Sequence, residues 1–275
     1  MRQDTLQRIR NGSANEDLSP YIIDLRSPPV RKIWETDRIE TRRAASPAPP
    51  KKPYSLFAKC FAEFIGVLSF VFAGTMQANV YVARSTDGLT HAALNAGFAL
   101  FVLGTVFGHI SGAHFNPSVS WAVALTGKLP IAHLPLYIAS QLLGGFCGAV
   151  LSATEIIKSQ LVATGCGATI LSSDHQWWEG LIAETIATFL LVNVVLMVAV
   201  DTDTILVAPL AIALMASVDV FAISNIVAEI FVAHDELPPG FWGHHYIYWA
   251  GPFLGATIAV GVYRLFEARE VRLVP

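Results

Sequence analysis

Charge is scarce along this chain. Asp, Glu, Lys and Arg make up 14% of its 275 residues, 53% are hydrophobic, and the mean hydropathy is +0.51. A soluble domain carries about 25% charge, so a membrane location is the first expectation. The charge that exists gathers at the ends. Of the 18 Lys and Arg residues, 12 lie at or before Lys59, and Arg264, Arg269 and Arg272 close the chain. Only Arg84, Lys128 and Lys158 fall between. That distribution leaves no basic face for a nucleic acid. Cysteine is equally sparse: Cys60, Cys147 and Cys166 are too few and too scattered for a disulfide framework or a zinc site. No nucleophile–base pair, metal-ligand cluster or phosphate-binding loop is present, so an enzyme, a metal and a cofactor are not expected. No apolar core precedes a cleavage-like site near Met1, so no cleaved leader is expected.

What the chain has in abundance is apolar runs. Residues 1–55 are polar, hold seven of the 15 prolines, and read as a disordered cytoplasmic tail. Apolar stretches then recur near 57–81, 89–110, 131–154, 179–200, 205–223 and 245–266. At about 1.5 Å per residue each covers a hydrocarbon core of about 30 Å. Six spans place both ends on one side. The basic ends read as cytoplasmic under the positive-inside rule, which agrees with that even count. The domain organisation is then a tail (1–55), a membrane domain (56–267) and a short cytoplasmic C-terminal tail (268–275). Small residues recur at four-residue spacing, as at Gly104, Gly108 and Gly112 or Gly251 and Gly255. They predict close helix packing and carry no transport information by themselves.

A weak internal repeat supports the same architecture. Ala62-Glu63-Phe64-Ile65-Gly66 opens the first span and Ala183-Glu184-Thr185-Ile186-Ala187 the fourth. The stretch from Tyr137 to Gly144 in the third resembles that from Tyr246 to Phe253 in the sixth. Three spans repeated must be inverted, an arrangement found in transport proteins. Glu63 and Glu184 occupy equivalent places, and each is costly at membrane depth. A symmetric pair suits a scaffold better than a proton relay, so both read as buried carboxylates that tie down a re-entrant backbone.

The segment that carries chemistry runs from Gly108 to Ser120 and contains His109, Gly112, Ala113, His114, Asn116, Pro117 and Ser118. Its polar groups are too dense for a lipid-facing helix. A short apolar helix is predicted after it, with Asn116 as N-cap and Pro117 at the first helical position. Irregular backbone at membrane depth survives only where it lines a cavity or is buried in protein. A loop that enters the membrane and returns as a half-helix is therefore expected. The half-helix start presents free N–H groups and a positive dipole end. Neutral polar solutes pass such an element, and cations and protons are repelled. His109 and His114 lack a carboxylate or cysteine partner in sequence, so pore-side or loop-bracing roles are expected for them rather than metal binding.

Ser111-Gly112-Ala113-His114-Phe115-Asn116-Pro117-Ser118-Val119 resembles the first signature loop of the aquaporin (major intrinsic protein) family, S-G-A-H-x-N-P-A-V. Ala-Glu-Phe-Ile-Gly, Gln-Leu-Leu-Gly-Gly, the Glu184 span and Tyr-Trp-Ala-Gly-Pro are similar to further family landmarks, over residues 57–267, with nematode members most alike in style. The resemblance implies an all-α, six-span bundle with an inverted repeat. It also implies a homotetramer in the lipid bilayer, with the plasma membrane as its expected location. Passive flow of water, or of glycerol as a second solute, is expected without a cofactor. It puts Ala96 and Val220 at the outer-constriction positions.

The chain departs from the family pattern at one place. The family carries two Asn-Pro-Ala boxes. Here the first reads Asn116-Pro117-Ser118, and no other Asn-Pro exists. Registers carried over from the first repeat land on Leu237 or Asn225, and neither recovers a box. A loop and half-helix, roughly 20 residues at half-membrane length, is expected to be missing near 223–225. A non-conducting or regulatory subunit is therefore a rival expectation. A secondary transporter is a weaker one, because it would need a coupling charge at the midplane beyond Glu63 and Glu184, and only Asp219, near the end of the fifth span, is a candidate.

Overall fold

The computed structural model describes residues 52–77, 88–155, 169–201, 207–223, 227–229 and 241–267. Most of the predicted N-terminal tail, all of the C-terminal tail, Cys166, Asn225 and Leu237 lie outside them. Among the described residues the helices are α1 (Leu56–Gln77), α2 (Gly88–Ser111), α3 (Pro117–Leu125), α4 (Leu134–Glu155), α5 (Trp177–Val195), α6 (Ala208–Ile223) and α7 (Ile247–Glu267). A 3-10 turn at Ile131–His133 leads into α4, another at Phe241–His244 into α7, and a π-helical turn at Leu196–Val200 extends α5. The six expected spans are all present as helices, and α3 is the short extra one between the second and third.

α1, α2, and α4 and α5 with their flanking turns, are long and apolar enough to cross a membrane by length and composition. α6 has 16 residues, about 24 Å at the helical rise. α7 has 21 residues and carries Pro252 in its second turn.

Exposure is inverted relative to a water-soluble fold. Large apolar side chains such as Phe57 (80% exposed), Phe98 (66%) and Phe146 (67%) lie on the outside, while Glu63, Ser120, Ser152 and Gln141 are at or below 2%. An apolar girdle around a polar interior is the pattern of a helix bundle solvated by lipid.

The two halves pack alike. α1 lies against α4, as α5 does against α7, and these are the most extensive contacts; α2 packs on α1 and α6 on α5. The close approaches are made at glycine. A Cβ added to Gly144 would collide with the Phe64 carbonyl oxygen, and one added to Gly255 with that of Thr185. Both partners directly follow the paired glutamates, so Gly144 matches Gly255 and Tyr137 matches Tyr248. The Tyr-Ile identity in the sequence pairs Tyr137 with Tyr246, two residues earlier; backbone packing at the glycines sets the alignment at Tyr248 instead.

A small feature was not foreseen. Thr169–Leu171 and Val227–Glu229 form a two-stranded antiparallel ladder, β1 and β2, with Ile170 opposite Ala228. It lies by the starts of α5 and α7, since a Cβ on Gly180 would stand 2.7 Å from Leu171 Cδ1 and 3.5 Å from Ile247 Cδ1.

Candidate functional site

Chain reversal after α2 is sharp. Gly112 has φ 97°, Ala113 48° and Phe115 49°. Only glycine adopts the left-handed region freely, so Ala113 and Phe115 each carry a cost of roughly 1–3 kcal/mol. What holds them there is Glu63, which is 0% exposed. Its Oε1 accepts from the Ser111 hydroxyl (2.6 Å) and the His114 backbone N–H (3.0 Å). Its Oε2 accepts from the Phe115 N–H (2.7 Å) and the Gln141 side-chain amide (2.8 Å). Hydrogen bonds to an ionised group contribute about 1.5–3 kcal/mol each, enough to offset the backbone strain.

The loop is braced from a second side. The Tyr137 hydroxyl donates to the Ser111 carbonyl (2.9 Å), and the His114 ring lies 5.3 Å from the Tyr137 ring. His114 Nδ1 meets Ser120 Oγ at 3.1 Å, and Ser120 Oγ also accepts from Gln141 Nε2 at 2.8 Å. Phe115 fills the space beside α1 that Gly66 leaves open; a Cβ at Gly66 would overlap the Phe115 ring. The ring also meets Phe107 edge-on at 6.1 Å.

From this loop α3 starts. Asn116 is its N-cap, in extended conformation, and its Oδ1 accepts from the Ser118 N–H at 2.8 Å. Pro117 takes the first helical position, where its missing N–H costs nothing. Nine residues later the helix ends at Thr126, and Gly127 (φ 78°) turns the chain away. Trp121 Nε1 donates to Thr257 Oγ1 (3.1 Å), and Arg264 Nη2 donates to the Leu125 carbonyl (3.2 Å), so α7 holds both the middle and the end of α3. A cation at a helix C-terminus also complements the dipole.

The structure brings Gly112, Ala113, His114, Asn116, Pro117 and Ser118 together with Glu63. Ser118 is 3% exposed, so its side chain packs inward. His109 stands apart from this network, exposed in the last turn of α2 with its ring 5.8 Å from that of Tyr54. Ala96 on α2 and Val220 on α6 are half-buried on two helices that pack together, where the Ser217 hydroxyl donates to the Ala93 carbonyl at 2.8 Å. Glu184 has no hydrogen bond among the described residues, and between α6 and α7 no counterpart of α3 is found among them. Gln141, Ser120 and Tyr137 were missed as site residues. The signal for Gln141 was an amide inside an apolar span, which needs a buried partner.

A family model described as "Major intrinsic protein" matches residues 51–263. The chain is 35% identical over 217 residues to Aquaporin-8 of Rattus norvegicus, covering 77% of this chain and 82% of that one. It is 34% identical to Aquaporin TIP1-2 of Musa acuminata (74% and 83% covered) and 35% identical to Aquaporin-4 of Homo sapiens (76% and 67%). Among solved structures, the aquaglyceroporin from Plasmodium falciparum matches with a TM-score of 0.63 at 20% identity, over 78% of this chain and 97% of that one. The fold agrees with these matches, and the chain belongs to the major intrinsic protein (aquaporin) family, whose members are membrane channels and not enzymes.

Proposed function

We propose that the protein is a channel subunit for passive movement of water, with glycerol as the second solute, and that residues 112–118 form one half of its pathway. The observation that carries this reading is the loop–half-helix unit itself. Four bonds to Glu63 hold strained backbone in place, and the Asn116 cap bond engages Oδ1. The Asn116 Nδ2 amide is then the donor a passing water oxygen meets, and the loop carbonyls are the acceptors. Peptide N–H groups at the start of α3 supply a positive end that repels cations. Ala96 and Val220 are the small side chains assigned to the outer constriction, which widens it. Homotetramers, cytoplasmic termini and a plasma-membrane location belong to the same proposal. We take His109, exposed against Tyr54, to belong to the mouth rather than to the path.

A specific observation favours a second reading for the chain as written. The loop receptor of the first half, Glu63 and Tyr137, is filled; its counterpart, Glu184 and Tyr248, has no hydrogen-bond partner among the described residues. We take a second loop and half-helix to be missing near 223–225. The chain then passes little water alone and enters assemblies with intact relatives as a non-conducting subunit. Co-reconstitution separates the two. If adding this chain to vesicles that hold an intact relative lowers permeability per relative molecule, the regulatory reading holds. Permeability that rises in proportion to this chain supports autonomous conduction instead.

A further inference from the structure

The basic side chains of the bundle gather at one end. Leu129, Leu134 and Tyr263 belong to one buried cluster, against which Leu56, Cys60 and Leu125 also pack. The start of α1, the end of α3, the start of α4 and the end of α7 therefore meet there. α2 ends there too, where the His109 ring faces that of Tyr54 at 5.8 Å. From Tyr54 onward the described Lys and Arg residues are Lys59, Lys128 and Arg264, and all three stand at this end. The far end is different. α4 closes there on Glu155. α5 starts there with Asp174 and Glu179, because it runs alongside α7 in the same direction, Leu181 against Gly251 and Thr185 against Gly255. Among the described residues that end carries no Lys or Arg.

Two of the three cations are unengaged. Arg264 is paired with Glu267 at 2.6 Å and holds the Leu125 carbonyl. Asp201, which ends α5 on the same side, is itself partnered. Lys128 is exposed and Lys59 half-buried, and neither makes an ion pair among the described residues. Around them lie exposed apolar and aromatic side chains: Tyr54 and Phe57 by the start of α1, Leu265 and Phe266 at the end of α7. Aromatic rings beside lysines at a span's end mark the depth of the lipid headgroups. The sequence adds to this charge. From Thr41 to Lys59 it holds Arg42, Arg43, Lys51, Lys52 and Lys59, and no Asp or Glu. Lys52 is four residues from the first residue of α1.

A basic cluster next to a span is attracted to acidic headgroups, and the attraction fades within a Debye length, about 8 Å at physiological salt. A soluble acidic partner does not require cations set against an apolar girdle; a lipid surface does. We propose that this end of the protein binds the anionic phospholipids of the leaflet it faces. Lys59 and Lys128 act on the bundle, and Arg42, Arg43, Lys51 and Lys52 in the stretch that leads into α1. The proposal is independent of whether the chain conducts.

Limited trypsin digestion of the full chain in lipid nanodiscs reads this out, because both faces of a disc are open to the protease. Discs of phosphatidylcholine are compared with discs that also hold phosphatidylserine, and cleavage rates are followed by mass spectrometry. Cleavage after Arg42, Arg43 and Lys51 is expected to be several-fold slower with phosphatidylserine, and the difference is expected to vanish at high salt. Arg8 and Arg10, whose surroundings include Asp4, Glu16 and Asp17, serve as the internal control and are expected to change much less. Equal rates in the two discs, equal slowing at Arg8 and Arg10, or slowing that survives high salt would each overturn the proposal. Equal slowing by free phosphoserine in phosphatidylcholine discs would overturn it too, since it would mark a soluble-anion site. A second measurement addresses the bundle. Chain extracted from mixed discs into detergent is expected to retain phosphatidylserine over phosphatidylcholine, and Lys59→Gln with Lys128→Gln to lower that preference several-fold. An unchanged preference in a variant that keeps the unfolding midpoint of the original chain contradicts the role of the two lysines. The digestion uses the unmodified chain, so it decides even where the variant does not fold.

Discussion

Glu63 concentrates the local energetics of the site. Replacing it with Ala leaves two backbone N–H groups, a hydroxyl and an amide without their acceptor. Breaking a buried charged network by removing one member costs about 3–5 kcal/mol. Glu63→Ala is expected to lower the thermal unfolding midpoint in detergent markedly and to speed hydrogen exchange at His114 and Phe115. Glu184→Ala, which removes no hydrogen bond among the described residues, is expected to be neutral or stabilising in the same assay. A second test sits at Gly66, where a methyl group would overlap the Phe115 ring. Overpacking of this kind costs about 1–3 kcal/mol, so Gly66→Ala should lower the midpoint too, and Phe115→Leu in the same chain should recover part of the loss. Legibility at this scale follows sequence distance. The Asn116 cap and Pro117 are set by adjacent residues and could be read directly. The Gln141 and Ser120 contacts join α4 to α3 across 21 residues, and no local pattern announces them.

Elements were legible where a run of side chains repeats. Six apolar stretches became helices because lipid-depth backbone must satisfy itself internally, and the half-helix was visible because a cap, a proline and a polar loop adjoin it. Alignment of the repeat was less visible. Helices match where backbones touch, at Gly144 over Phe64 and Gly255 over Thr185, and sequence identity two residues away pointed elsewhere. The β1–β2 ladder is too short for alternation to show. One prediction belongs here. Inserting a loop and half-helix of about 20 residues, with its own Asn-Pro box, between Ile223 and Val227 is expected to raise the unfolding midpoint and to raise water permeability. Its loop N–H groups would find Glu184, and its carbonyl the Tyr248 hydroxyl. If the same insertion with Glu184→Ala gains as much stability, the assigned receptor is wrong.

Among the described residues the membrane part is an apolar-surfaced bundle with one loop–half-helix unit, held by Glu63, Tyr137, Gln141 and Arg264. Membership of the family fixes the fold and the channel class; under the proposed function, activity depends on whether a second unit faces Asn116. Under the proposed function, the mass of the intact complex released from detergent is expected to correspond to four subunits. The most direct test of the central claim is osmotic swelling of vesicles that contain only this chain, followed by stopped-flow light scattering. A rate close to that of protein-free vesicles is expected, with a several-fold rise when the second half-helix is inserted. Swelling by the chain as written at the rate of an intact family channel, per subunit, would contradict it.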